Sequence, residues 1–252
     1  VNNIEFTHEW IESYLCRMTL SFSMEHLEKS ECCKANQNYE VEYTIKYGYL
    51  YNRYAFNDAR NIANTGWSIP LYDDYIALRI AVGGWDIAGG ELKETGIIYW
   101  DAPNTGATNN YNFYMRGGGY RDKLGVFMHL KTYGYWWFYD PTVPMTHYFA
   151  SFARFDDNAT FSNADIRNGL SVRLIKDSTS LSEGETGIYI GNDGKIYNTI
   201  CIGTQEWLAE NLCETKYRNG DSIPEVINNA IWSATTEGAR CSYDNDENNA
   251  KS

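Results

Sequence analysis

Residues 204–213 read TQEWLAENLC, and residues 7–16 read THEWIESYLC. Five identities recur in register: Thr7 with Thr204, Glu9 with Glu206, Trp10 with Trp207, Leu15 with Leu212 and Cys16 with Cys213. A Trp and a Cys at matched spacing make chance a poor explanation, and a long period of this kind marks a repeated module. The register then drifts through a shorter loop in the first copy, where Cys33 of CKANQN falls opposite Cys241 of CSYDND. The repeat predicts a module at 1–178 with a degenerate N-terminal part, a linker at 179–187, and the N-terminal part of a second, truncated module at 188–252. The linker reading rests on DSTSLSEGETG (177–187), which is Ser, Glu and Gly rich without apolar periodicity. Residues 1–46 are expected to complete the fold of 47–177; contacts between Trp207 and that core would transfer the role to 187–252.

Composition narrows the class. The 252 residues are 43% hydrophobic and 15% aromatic, enough for a packed core and too apolar for a disordered chain. A net charge of -12 without a basic stripe excludes a nucleic-acid partner, because phosphate neutralisation needs clustered Lys and Arg. No apolar run approaches the roughly 18 residues of a membrane helix, and the mean hydropathy is -0.50, so membrane insertion is not expected. The opening VNNIEFTHEW carries neither an initiator Met nor a signal pattern, which suggests a mature product or a piece of a longer chain.

Local patterns predict few helices and many loops. GKIYNTICIG (194–203) and HYFASFARF (147–155) are β-branched or aromatic runs bounded by turn residues and read as strands. Tyr75, Ile76, Leu78, Arg79 and Val82 have helical spacing between Pro70 and Gly83-Gly84, predicting a helix over 72–82. A second short helix is expected near Glu206, with Trp207, Leu208 and Leu212 on one face. DAPNTGATNNYN (101–112) and RGGGYRDKLG (116–125) read as loops, the glycines supplying positive φ.

At this level the chain resembles the Fibrobacter succinogenes major paralogous domain family. The resemblance lies in GGELKETGIIYWDAPNTGATNNYNFYMRGGGYR (89–121), YGYWW (133–137), NGLSVRLIKD (168–177), DGKIYNTICIGTQEWLAENLCETKYRNGDSIPEV (193–226) and WSATTEGARCSYDND (232–246). That family opens with a DGN-Y-TV-IG-Q-W-ENL pattern and closes with GFSVR, and here the two ends fall in different copies. The resemblance implies an α+β, C-type-lectin-like fold shared with formylglycine-generating-enzyme-like proteins: loop-rich, with small, mixed, mostly antiparallel sheets and one or two short helices. Departures are Ala63 and Leu174 where the family has cysteines, Ser68 where it has His, and Phe138 and Tyr139 where two Ser usually follow YGYWW.

Catalytic and metal motifs are missing from the sequence. His8, His26, His129 and His147 lie in no HExxH pattern, and there is no nucleophile elbow, phosphate loop or zinc spacing, so no enzyme is expected. The copper-binding Cys pair of the formylglycine-generating relatives has no counterpart, since no Cys lies between 34 and 200. Asp and Asn oxygens at Asp156, Asp157, Asn158, Asp165 and 243–248 could hold calcium, but their spacing fits no EF-hand, and no cofactor is expected. Cys16 with Cys33 and Cys213 with Cys241 are disulfide candidates, Cys32 and Cys201 being left over.

The candidate ligand-binding residues lie in the aromatic run 133–155: Trp136, Trp137, Phe138, Tyr139, Asp140, His147 and Arg154. Alternation buries only every second strand side chain, so consecutive aromatics should leave part of the set exposed. Lectin-like relatives form their ligand surface from the segment leading to the closing strand, about 137–167 here. The expected function is a non-catalytic adhesin or receptor-binding module of a tandem repeat, secreted or displayed on a bacterial cell surface or phage particle. Its partners would be an unidentified glycan or protein and the neighbouring modules of its chain. A passive spacer repeat is the alternative, and burial of Trp137, Phe138 and Tyr139 would favour it.

Overall fold

In the computed structural model, which describes residues 46–143 and 147–250, the helix expected after Pro70 spans Tyr72–Ala81. The Leu71 N–H donates to the Asp74 carboxylate (2.7 Å), fixing the first turn. Tyr75, Leu78 and Val82 line its buried face, and the Gly84 N–H returns to the Arg79 carbonyl where two positive-φ glycines stop the helix. Among the described residues four further α-helices, Arg53–Phe56, Ala88–Leu92, Asn229–Ala234 and Glu247–Ala250, have six residues or fewer.

The strands in chain order are β1 Leu50–Tyr51, β2 Trp67–Ser68, β3 Gly118–Arg121, β4 Phe127–Leu130, β5 Tyr133–Trp137 and β6 Tyr148–Ala153. They continue with β7 Thr160–Asn163, β8 Ile175–Lys176, β9 Thr186–Ile190, β10 Ile196–Ile202, β11 Gln205–Leu208 and β12 Arg240–Cys241. One sheet has the order β2-β8-β11-β10-β9 and is antiparallel throughout. The second has the order β4-β3-β5-β6-β7, with a single parallel pairing, Gly119 opposite Gly134. β1 and β12 form a separate ribbon. The architecture is α+β, mostly antiparallel and poor in helix.

The first sheet corrects the expected domain division. β2 and β8 come from the 47–177 body, while β10 and β11 come from the segment expected to belong to a second module and β9 spans its junction with the expected linker. Trp207 pairs with Ile175 across β11 and β8, and its ring lies 5.2 Å from Tyr75 and 6.0 Å from Phe113. Residues 188–250 therefore pack into one body with the described residues of 47–177. The supposed linker is ordered into it: Thr179 donates to Glu206 (2.6 Å), and β9 begins at Thr186. Four of the five residues that recur at 7–16 are buried here, namely Glu206, Trp207, Leu212 and Cys213, while Thr204 is exposed in the β10–β11 turn. Residues 1–45 lie outside the described residues, and with them the first copy of the repeat and the Cys16–Cys33 candidate pair.

Two local expectations change as well. The stretch near Glu206 is β11 and not a helix, because the two-residue turn Gly203-Thr204, with Gly203 at φ 63°, folds it back on β10. Part of the expected 116–125 loop is β3. Gly119 adopts φ 61° there, against the Met128 carbonyl, and a Cβ on its partner Gly134 would strike the Trp136 ring.

Buried cations hold the long loops. Loop carbonyls have no ladder partners and need donors from elsewhere. Arg173 donates to the carbonyls of Phe113, Leu208 and Tyr114, and Lys93 to those of Thr105, Ala153 and Asp156. Arg121 reaches the carbonyls of Gly125, Val226 and Ile227, tying β3 to the C-terminal segment. Burial lowers the pKa of Lys93 to about 8 and that of Arg173 to about 9.

Cys213 and Cys241 are not joined by a disulfide, which corrects that expectation. Cys213 packs in the core cluster of Tyr51, and Cys241 in that of Leu50. Leu50 and Tyr51 are adjacent on β1 and point to opposite faces, so the two thiols sit on opposite sides of the strand.

Candidate ligand-binding cleft

β5 decides which aromatics reach solvent. It is an inner strand, with β3 on one side and β6 on the other. Gly134 and Trp136 face one core cluster, which Phe138 joins just past the strand, while Tyr133, Tyr135 and Trp137 face the opposite way. Both faces are covered at the end of the strand, and Trp136, Trp137 and Phe138 are each 0% exposed. The Trp136 indole N–H donates to Asn211 (2.8 Å), that of Trp137 to the Tyr51 carbonyl (2.8 Å), and Phe138 stacks on Tyr148 at 5.7 Å. These three side chains are core, which corrects the expectation of an exposed patch.

The other candidates are held in local contacts, Tyr139 and His147 both near Arg53. Half-buried Tyr139 has its ring 5.6 Å from the Arg53 guanidinium. Asp140 accepts from the N–H and hydroxyl of Thr142 within a turn. Arg154 donates to the Ala102 carbonyl and so pins the 101–112 loop. His147 is half-buried, and burial lowers its pKa.

A cleft of about 430 Å³ opens instead over the first half of β5, within the size range of small-ligand sites. Its aromatic wall is Tyr120 from β3, Tyr135 from β5 and Phe149 from β6, with ring centroids 5.1 Å (Tyr120–Tyr135) and 5.4 Å (Tyr135–Phe149) apart. The Tyr135 hydroxyl and His129 Nδ1 share a hydrogen bond of 2.7 Å. Asn163, Asp165, Asn168, Asp122 and Lys123 supply the polar rim. Asp165 accepts from Arg167 (2.9 and 3.0 Å) and lies 3.5 Å from Lys123, and the Arg167 guanidinium holds its carboxyl well below the usual carboxylate range. None of the seven sequence candidates lines the cleft, although Phe149, Asn163 and Asp165 fall inside the expected 137–167 segment. The period-two pattern Tyr133, Tyr135 within YGYWW was the available signal for the open face. Tyr120, beyond the glycine run, gave none.

Elsewhere, buried Glu214 accepts from the Tyr197 hydroxyl and from the Asp193 N–H, both at 3.2 Å. Burial, reinforced by the Asp193 carboxylate, pushes its pKa up to about 7. Glu214 does not line the cleft. Among the described residues no group of three or more His, Cys, Asp or Glu side chains is placed to hold a metal ion. The aspartates weighed for calcium form turns, Asp156 accepting from the Asn158 N–H and Asp246 from the Asn248 N–H. No helix among the described residues is long and apolar enough to cross a membrane.

A family model described as the Fibrobacter succinogenes major domain matches residues 7–176. The comparisons with curated proteins and with solved structures find no match.

Proposed function

The chain belongs to the Fibrobacter succinogenes major domain family, and from that premise we propose that it is a non-catalytic ligand-binding module of adhesin or receptor-binding type. Its scaffold would be of the C-type-lectin kind, displayed outside the cell on a bacterial surface or phage particle and repeated in tandem. The observation that carries this reading is the open cleft: three aromatic rings on one wall, polar side chains at the rim, and rigid strands beneath. Aromatic walls give large contact area at low entropy cost, and repetition would raise avidity where one module binds weakly. Glu214, the carboxyl with a near-neutral pKa, stands outside the cleft.

A second reading, the passive spacer, draws on the burial of Trp136, Trp137 and Phe138. A glycan and protein array on the intact chain separates the two, with Tyr135→Ser and Phe149→Ser as variants and folding checked by circular dichroism. Binding that the folded variants lose supports the cleft. Absence of binding, or binding that both variants keep, overturns it.

A further inference from the structure

We infer that the cleft, with the aromatic track leading out of it, holds an extended chain of neutral sugar units; this deepens the ligand-binding reading and rests on it. The rings do not stop at the cleft. Tyr133 stacks on Tyr135 at 5.6 Å and 22°, and Phe155, about half exposed, meets Tyr133 edge-on at 5.4 Å. Phe155, Tyr133, Tyr135 and then Tyr120 or Phe149 form a chain of ring contacts with successive centroids 5.1 to 5.6 Å apart, and the His129 ring packs beside it, 5.1 Å from Tyr133 and 5.4 Å from Tyr120. A sugar ring offers an apolar C–H face to an aromatic ring, whose face is electron-rich, and carries hydroxyls around its edge.

The rim suits those hydroxyls. Asn163 and Asn168 line the cleft, and among the described residues neither side-chain amide makes a hydrogen bond, so each keeps both donors and an acceptor. The charged groups are committed within the protein: Asp165 to Arg167 and Lys123, and Asp122 to the N–H groups of Leu124 and Val126. A locally balanced rim on a chain of net charge -12 disfavours acidic polysaccharide. A peptide would find little main-chain pairing, because the track lies over the inner strands β3, β5 and β6 while the sheet edges are β4 and β7.

Calorimetric titration of the whole chain with linear neutral oligosaccharides of increasing length tests this, alongside an acidic polysaccharide and the protein array. Neutral oligomers are expected to bind more tightly with length. Tyr133→Ala and Phe155→Ala should each weaken long oligomers about tenfold while sparing short ones, and Tyr135→Ala should weaken both. Matched urea midpoints show that the variants are folded. If an arrayed protein binds and Tyr135→Ala abolishes that binding while no saccharide binds, the saccharide inference falls and the cleft reading stands. Self-association of the chain that Tyr133→Ala relieves also overturns the saccharide inference, with a second copy as occupant. Saccharide binding that Tyr135→Ala leaves intact overturns both.

Discussion

Replacing Trp207 by Ala should destabilise the whole described body and not just the hairpin that carries it. The indole is fully buried, it packs against Tyr75 from the helix after Pro70 and against Phe113 from the long loop, and its backbone pairs with β8 and β10. Its N–H donates to Gln205 at 3.3 Å, a long bond whose loss costs little, so the penalty is apolar transfer plus the cavity left behind. For a buried Trp this is about 3–5 kcal/mol, a large share of the roughly 5–15 kcal/mol that holds a typical domain. Urea unfolding followed by far-ultraviolet circular dichroism should show one transition at a lower midpoint with an unchanged slope. Native-state hydrogen exchange supplies the decisive reading. Amides of β5 and β6, which belong to the other sheet, should lose protection together with those of β10 and β11. Full protection of β5 and β6 alongside free exchange of 186–208 would refute the reasoning and restore 188–252 as an independent unit.

Glu214 should make stability depend on pH. Its folded pKa of about 7 lies above the ordinary 4.5, so its contribution is fully present below about pH 4.5 and is lost as pH rises through 7, with a ceiling of about 3 kcal/mol. Glu214→Gln should leave thermal stability at pH 5 nearly unchanged and raise it at pH 8; melting curves that respond to pH identically in both proteins would contradict this. Gly134→Ala should cost about 1–3 kcal/mol, because its methyl meets the Trp136 ring. A lowered urea midpoint with loss of near-ultraviolet aromatic signal would show it, and an unchanged midpoint would mean the ring has room. Finally, alkylation of the denatured chain without reductant should modify both Cys213 and Cys241; protection of both that a reductant relieves would show a bridge.

Several elements were legible because short-range rules govern them. The helix at Tyr72–Ala81 and the strands β6 and β10 follow from periodicity between strong turn residues. The stretch around Glu206 was misread because TQEWLAENLC has apolar residues at both helical and strand spacings. A two-residue turn at Gly203-Thr204 and a partner strand contributed by residue 175 decided the matter. The aromatic run was misread for a related reason. Alternation correctly separates Tyr133 and Tyr135 from Trp136, but whether both faces of a strand are covered depends on what packs over it. Here β5 is open at its start and roofed at its end, where the Trp137 indole donates to the Tyr51 carbonyl.

From the sequence alone came the family, the α+β class, the low helix content and the repeat that marks Glu206, Trp207, Leu212 and Cys213 as residues that matter. All of these are written in local spacing and in side-chain chemistry. Only the tertiary structure showed that 188–250 packs into the body of 47–177, that Cys213 and Cys241 face opposite sides of β1, and that the open aromatic surface is Tyr120, Tyr135 and Phe149. Those depend on contacts between residues far apart in the chain, such as Ile175 with Trp207 and Tyr120 with Tyr135. Such contacts are chosen by which apolar faces bury one another best, a competition that no local pattern encodes.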